Sequence, residues 1–158
     1  GSAQAYEIIY ALAKLTPQST KTNLSKALAF TLNTIKRRSV IILISDFIDE
    51  ENYFYNLKAL ARKHDLVAIH ISDKRETNLP KLGIIPIIDK ETKKTLWINT
   101  SFGNFRQNIS KKLAERREML EKFSRKHQIN FISLDTDEDY VPYLLRLFKV
   151  RNKSIKTT

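Results

Sequence analysis

An uninterrupted apolar run over residues 40–44 constrains the fold of this chain more than any other feature of its sequence. The run lies within residues 39–45 and consists of valine, isoleucine and leucine, with no alternating polar positions. This pattern is typical of a strand that is buried on both faces, as in a parallel sheet. Residues 66–72 and 129–134 read as two further strands of this kind. Since helical crossovers usually join parallel strands, the sequence predicts a three-stranded parallel sheet with helices on both faces.

The segments around these strands show helical periodicity and one hairpin pattern. Thr22 or Asn23 can cap the second helix through a side-chain oxygen, and Pro142 suits the first position of the last helix. Two short apolar segments with a polar, basic tip between them predict a β-hairpin, in which Pro86 favours an edge position. The predicted helices cover residues 4–15, 24–38, 50–63, 104–127 and 142–149, and the hairpin strands cover 84–88 and 95–98 around the tip 89–94.

These elements together predict an α/β fold, a three-layer sandwich with a short parallel sheet plus an inserted β-hairpin. Residues 3–150 form a single predicted domain, because a chain of 158 residues supports one core and no linker divides it. Gly1 and Ser2 are interpreted as a cloning scar, and residues 151–158 as a basic, disordered tail. The longest apolar run falls far short of the ~20 residues that a membrane helix needs, so no transmembrane segment is expected in this chain.

The scarcity of glycine and the lack of cysteine exclude several classes of site. The chain has three glycines, where average usage would give about eleven. A P-loop or a dinucleotide fingerprint needs several glycines for close backbone approach to phosphate, so neither can be written here. With no cysteines, disulfides, thiolate metal sites and cysteine nucleophiles are excluded.

The excess of basic residues raises nucleic-acid binding as one alternative function. Lys and Arg number 28 against 17 Asp and Glu, a formal net charge of +11. The cations are spread over several segments, however, and glutamates are interleaved within 111–126, as on a solvated helix face. We therefore expect no dedicated nucleic-acid site; any binding would be nonspecific and would fall steeply with salt because counterion release drives it.

Three aspartates follow the three predicted strands and suggest a second alternative. Asp46, Asp73 and Asp135 would meet at the carboxyl edge of a parallel sheet, where such sheets bind ligands. Three carboxylates on one rim could bind Mg²⁺, which would suit an Mg²⁺-dependent phosphoryl-transfer or nuclease-type enzyme. The structural interpretation is that these aspartates end strands and begin turns through bonds to the backbone.

The acidic segment 135–139 and the three histidines favour structural roles. Thr136 and Asp139 have the spacing of a capping box at the start of the last helix. His64 and His127 lie at predicted helix ends and His70 within a strand. None pairs with another at i,i+4 as in a zinc-binding helix. No Gly-x-Ser-x-Gly elbow is present, which disfavours serine hydrolase chemistry.

Several segments together resemble one bacterial family, domain of unknown function 58, the von Willebrand factor A-like proteins associated with MoxR-type AAA+ ATPases. The segments are TNL at 22–24, RRSVIILISDF at 37–47, ARKHDLVA at 61–68, DKRE at 73–76 and LDTDEDYVP at 134–142. The resemblance runs from about Tyr6 to Arg151. It implies a partial von Willebrand A-like fold.

The resemblance also implies a remnant of a metal-ion-dependent adhesion site. Thr22 and Asp46 match two side chains of that site, whereas the Asp-x-Ser-x-Ser loop of the family does not occur in this sequence. We therefore expect a C-terminal fragment with an incomplete, unoccupied site and no cofactor of its own, with Mg²⁺ in the full-length parent. Asp73 and Asp135 remain rim candidates.

The favoured function is a non-enzymatic protein-interaction module that acts with a MoxR-type AAA+ ATPase in assembling or remodelling protein complexes, as the resemblance implies. In that fold the strand 39–45 would lack a neighbour, so we expect homo-oligomers through its exposed edge. The alternative is a monomer in which the helix 4–15 covers that edge. A cytoplasmic location is expected, with membrane association of the full-length parent.

Overall fold

A computed structural model describes residues 1–16, 22–49, 51–77, 80–88 and 95–155 of this protein. The predicted hairpin tip, 89–94, and the last residues of the predicted tail lie outside the described residues. The elements are α1 (Ser2–Lys14), α2 (Leu24–Thr34), β1 (Val40–Ser45), α3 (Phe54–Lys63), β2 (Asp65–Ser72), a short α4 (Lys74–Thr77), β3 (Ile84–Ile88), β4 (Thr95–Asn99), α5 (Gly103–Lys126), β5 (Asn130–Asp135) and α6 (Val141–Ile155).

The strands form two separate sheets, as predicted. The first has the order β1-β2-β5, and both pairings are parallel, with Ile42 opposite Val67 and Ile69 opposite Ile132. The second is the antiparallel hairpin of β3 and β4, in which Pro86 lies opposite Trp97. The predicted α/β fold with a short parallel sheet and an inserted hairpin is confirmed.

Helices cover the two faces of the parallel sheet unequally. Alternate residues of β2 divide between two cores, because successive side chains on a strand point to opposite faces. On one face α2, α3 and α5 pack against β1 and β2, and on the other face α6 packs against β2 and β5. The first core centres on Leu28, Phe47, Leu57, Leu60, Leu66, Ala68 and Leu120, and the second on Val67, Ile69, Leu134 and Leu147.

The prediction that residues 39–45 are buried on both faces is wrong for one face. β1 is an edge strand that pairs with β2 and with no other strand among the described residues. Its side chains alternate: Ile41 and Leu43 pack into the first core, whereas Val40, Ile42 and Ile44 are 57%, 50% and 64% exposed. The second face of β1 lies outside the second core, so no described element buries these three residues.

Helix α1 forms as predicted, but no other described element buries it. Its apolar positions include Ile8, Ile9 and Leu12, yet every residue of the helix is exposed. The expected alternative, in which this helix covers β1, is therefore not the arrangement in the structure. An isolated helix of this length is marginal in water, so α1 needs a contact to stabilise it.

Three helix boundaries differ from the sequence prediction by four residues or more, and one of them is the end of α2, which lies at Thr34 rather than near residue 38. α3 begins at Phe54 rather than at residue 50, because Asp49 accepts the N–H of Glu51 at 2.9 Å and Asn52 accepts the N–H of Phe54 at 3.1 Å. These side chains form turns that compete with helix. α6 continues to Ile155, beyond the predicted end near residue 149.

The C-terminus of α5 ends in a Schellman motif centred on a residue that is not glycine. Gln128 has φ 56°. The N–H of Ile129 donates to the carbonyl of Ser124 at 2.9 Å, and the N–H of Gln128 to that of Arg125 at 3.4 Å, which is the bonding pattern of this motif.

A glycine at position 128 should stabilise the protein. The left-handed conformation costs roughly 1–2 kcal/mol for an L-residue with a side chain and almost nothing for glycine, partly offset by the entropy of glycine in the unfolded chain. We expect Gln128→Gly to raise the free energy of unfolding by about 1 kcal/mol, measured by urea denaturation. Asn108→Gly, within α5, should lower it instead, and equal effects of the two changes would contradict the argument.

Candidate functional site

A cavity lies at the carboxyl ends of β1, β2 and β5, beside α5. Its volume is about 180 Å³. Each strand contributes at its end, and α5 supplies the opposite wall, so four segments distant in sequence meet here. The lining residues are Asp46, Ile48, His70, Ile71, Ser72, Leu113, Ala114, Arg116, Arg117 and Asp135. This is the place where open parallel sheets bind ligands.

The turn that follows β1 is held by a buried aromatic residue in an unusual conformation. Phe47 has φ 56° and is fully buried. Its N–H donates to Ser45 Oγ at 2.9 Å, and the Asp46 carboxylate accepts the N–H of Ile48 at 3.0 Å. The Tyr53 hydroxyl donates to the Phe47 carbonyl at 3.2 Å. The turn therefore fixes the backbone on both sides of Asp46 at the cavity.

The same turn contacts the start of α2, which carries the second residue of the expected adhesion-site remnant. Asp49 Oδ2 accepts the N–H of Leu24 at 2.6 Å, and Asn23 caps the helix by accepting the N–H of Lys26 at 2.8 Å. Asn23 is thus the cap among the two predicted candidates. Thr22 precedes it directly, is exposed and does not line the cavity.

The three rim aspartates do not form one cluster. Asp46 and Asp135 both line the cavity, but Asp73 does not, and its carboxylate accepts the N–H of Arg75 at 2.8 Å. The described residues contain no group of three or more His, Cys, Asp or Glu side chains that could hold a metal ion. The expectation of three carboxylates meeting on one rim is therefore wrong for Asp73, because its side chain closes a turn.

Asp135 differs from Asp46 and Asp73 in one oxygen of its carboxylate. Its Oδ1 is buried and has no hydrogen bond within the described part of the chain. A buried acceptor without a donor loses its hydration and gains nothing in return, which costs about 1–3 kcal/mol.

His70 lies within the site as well as within a strand. Its ring lies between Phe47 and Phe131, with centroids 6.2 Å from each, and its Nδ1 is 2.9 Å from Ser133 Oγ. Burial, followed by the charge of Arg117, lowers the pKa of the imidazole, so the neutral ring is favoured. The sequence predicted a packed histidine; the structure adds that it lines the cavity.

Tyr53 makes the stability of the protein depend on pH in the alkaline range. Burial, with smaller effects of Asp49 and Asp46, raises the pKa of Tyr53 from 10.0 to about 12. A folded-state pKa above the unfolded one favours the folded state below pH 10, and this contribution is lost as the pH rises from 10 to 12. We expect Tyr53→Phe to flatten the fall in unfolding free energy over that window. Tyr55→Phe, at an exposed position, should leave the fall unchanged.

The acidic segment after β5 has a structural role, but its contacts differ from those of the predicted capping box. Glu138 pairs with Lys74 at 3.3 Å and accepts the Tyr143 hydroxyl at 2.8 Å. Asp139 accepts the N–H of Val141, the first residue of α6, at 3.0 Å. Thr136 donates its backbone N–H to Ser72 at 2.9 Å, so the predicted capping box is wrong.

The other two histidines lie away from the cavity. His64 is buried at the end of α3 and accepts the N–H of Ser39 on its Nδ1 at 3.3 Å. His127 packs its ring against Phe123, with centroids 4.4 Å apart. Both positions agree with the prediction that these residues lie at helix ends.

Sequence reasoning missed the two arginines of the site. The charge pattern of 111–126 predicts that Arg116 and Arg117 lie on a solvated helix face, yet both line the cavity. Arg116 Nη2 donates to the Asp49 carbonyl at 3.4 Å, and Arg117 Nε to Glu121 at 3.2 Å. One signal was available: two adjacent cations on one helix point about 100° apart, so one of them lies closer to the sheet than the solvated-face interpretation allows.

Comparison with known proteins gives a family and no activity. The sequence model of the family described as protein of unknown function DUF58 matches residues 1–119. An uncharacterized protein of Mycobacterium avium is 30% identical over 118 residues, which are 75% of this chain and 69% of the relative. Uncharacterized proteins of Mycobacterium bovis and Mycobacterium tuberculosis are 26% identical over 118 residues, 75% of this chain but only 37% of their own length. No solved structure matches the chain.

Proposed function

This chain belongs to the DUF58 family of proteins of unknown function, and we propose that it is a non-enzymatic protein-interaction module. The observation that supports this proposal is the edge strand β1. Among the described strands none pairs with its free side, and it exposes three large apolar side chains, Val40, Ile42 and Ile44, on one face. Such an edge is a template for pairing with another chain.

The amino-acid composition of β1 favours contact with a partner over exposure to water. β1 lacks the devices that protect edge strands, since it contains no proline, no lysine and no inward-pointing charge. Helix α1 adds a second unpartnered apolar surface that includes Tyr6, Ile9 and Leu12. Exposed apolar surfaces of this extent mark interaction sites.

Two kinds of partner can pair with the free side of β1. A second copy of the chain can pair β1 with β1; a twofold axis makes that pairing antiparallel. The resemblance to von Willebrand A-like proteins that act with MoxR-type AAA+ ATPases supports such an ATPase as the partner in the assembly or remodelling of complexes.

In the part of the chain that the structure describes, no helix is long and apolar enough to cross a membrane.

Light scattering coupled to size exclusion, together with hydrogen exchange, tests the proposal. We expect association that increases toward ~100 μM protein, a concentration that reveals even weak contacts. The outward amides of β1 should exchange slowly only when the protein is associated or when a purified MoxR-type ATPase is bound. A monomer at all concentrations that binds no ATPase and protects all of β1 by itself would contradict the proposal.

A further inference from the structure

The last helix, α6, lies in a basic segment that contains no acidic residue. Residues 140–158 include five lysines and arginines and no aspartate or glutamate. In α5, by contrast, three cations pair with glutamates at the i,i+4 spacing. Because α6 has no carboxylate in its own sequence, no ion pair of this kind neutralises its cations, and they can attract an anionic partner.

α6 also has two apolar sides, of which the sheet buries only one. Leu147 is buried in the second core, and Leu144 packs against it. Val141, Leu145 and Phe148 form an apolar stripe, because the spacing i, i+4, i+7 places them on one helix face. Their side chains are 45%, 55% and 46% exposed. The sheet therefore holds α6 by one side and leaves the apolar stripe half exposed.

A basic face, formed by Arg146 and Lys149, lies beside the apolar stripe. Each of these residues directly follows a residue of the stripe, and successive residues of a helix are rotated by about 100°. Both side chains are exposed. An apolar stripe next to cations is typical of helices that lie at the surface of an anionic membrane, where apolar groups reach the acyl chains and cations reach the phosphates.

We propose that α6 binds the surface of an anionic lipid bilayer, with the apolar stripe inserted at the interface and the basic face at the headgroup phosphates. The formal net charge of +11 attracts the chain to such a surface. Because the second core holds α6 against the sheet, a partner reaches only one side of the helix, which suits a flat bilayer better than a groove that encloses a helix. The site does not involve β1 and does not depend on the proposed function.

Co-sedimentation of the protein with lipid vesicles tests the inference. Vesicles of phosphatidylcholine with ~30% phosphatidylglycerol should bind the protein at least ~10-fold more tightly than vesicles of phosphatidylcholine alone, because anionic lipid attracts each cation near the surface. Binding should weaken as the salt concentration rises from ~0.1 to ~0.5 M, since salt screens this attraction. Equal binding to the two kinds of vesicle, or binding to neither, would overturn the proposal.

A matched pair of phenylalanine variants tests the apolar stripe. Phe148→Ser should weaken vesicle binding at least ~5-fold, whereas the same change at Phe30 should alter it by less than ~2-fold. Phe30 is exposed on α2, which packs on the other face of the sheet. Leu145→Ser, at a more exposed position of the stripe, gives a second measurement if Phe148→Ser does not fold. Unchanged vesicle binding in both stripe variants would refute the proposal.

A matched pair of charge reversals tests the basic face. Arg146→Glu with Lys149→Glu changes the net charge as much as Lys111→Glu with Lys112→Glu. The α6 pair should weaken vesicle binding at least ~10-fold and the α5 pair by less than ~3-fold, because α5 packs on the other face of the sheet and the Debye length is only ~8 Å at physiological salt. Equal weakening by both pairs would show a general attraction without a contact through α6, and the proposal would be wrong.

Duplex DNA and poly-L-glutamate distinguish a bilayer from other anionic partners. Both polymers attract cations but offer no acyl chains to the apolar stripe, so Phe148→Ser should leave binding to either of them unchanged. A loss confined to the vesicles supports the bilayer as the partner. If Phe148→Ser weakens binding to DNA or to poly-L-glutamate as much as binding to vesicles, the stripe has no preference for lipid and the proposal is overturned.

Discussion

Replacing Phe47 with alanine is expected to destabilise the protein by about 3–5 kcal/mol, the usual cost of removing a buried phenylalanine side chain. Phe47 is fully buried and packs near Tyr53 and His70, with ring centroids 6.1 and 6.2 Å away. Alanine leaves a void between the turn after β1 and the core. A loss this large is a substantial part of the stability of any single domain, so the urea midpoint should fall sharply or folding should fail.

Because Phe47 has a positive φ, a comparison of two variants distinguishes the loss of packing from the relief of backbone strain. Alanine and phenylalanine both resist the left-handed conformation at φ 56°, whereas glycine does not. Phe47→Gly should therefore be no less stable than Phe47→Ala, even though it removes one more carbon. Phe102→Ala, at an exposed position, should change the free energy of unfolding by less than ~0.5 kcal/mol. A Phe47→Ala protein with an unchanged urea midpoint would show that the buried ring does not hold the turn.

Replacing Ile42 with lysine should weaken self-association by about 100-fold, since apposed like charges at an interface cost several kcal/mol and ~2.7 kcal/mol corresponds to that factor. Ile42 lies near the middle of β1, and its side chain is half exposed. In an antiparallel pair about a twofold axis, the two copies of residue 42 come close together. Light scattering over a concentration series measures the change.

A matched variant controls for a general effect of the added charge on association. Phe30→Lys places the same cation at an exposed apolar position on α2, and its association should equal that of the wild type. Because Ile42 is half exposed in the single copy, Ile42→Lys should remain folded, with a urea midpoint close to that of the wild type. Equal weakening by both changes would contradict pairing through β1.

The type and order of the main elements were predictable because local patterns encode them. The apolar runs that became β1, β2 and β5 and the periodic segments that became α1, α2 and α5 each carry their own signal in a window of a few residues. Asn23 and the hairpin pattern around Pro86 are local signals as well. Where local signals competed, as in the turns made by Asp49 and Asn52 before α3, the predicted boundary was wrong by a few residues.

The site was predictable only in part. The positions of Asp46 and Asp135 at strand ends follow from the strands themselves, since carboxyl ends of parallel strands share one edge. The absence of Asp73 from the cavity lining does not follow in this way. An aspartate at a strand end can either face the edge of the sheet or bond to the backbone of the next turn, and Asp73 accepts the N–H of Arg75. Arg116 belongs to the site through its place on a helix whose orientation against the sheet no local pattern records.

The sequence by itself determined that this chain forms a parallel α/β sheet with a hairpin, and that its glycine and cysteine content excludes several classes of site. Only the tertiary structure decided that β1 is an edge strand with Val40, Ile42 and Ile44 exposed. It also decided that, within the described part of the chain, no element buries α1 and Asp135 Oδ1 has no donor. The physical reason is the range of the interactions. Secondary structure follows from the periodicity of neighbouring side chains, whereas burial and hydrogen-bond satisfaction depend on which distant segments pack together, and an apolar run has the same sequence whether or not a helix covers it.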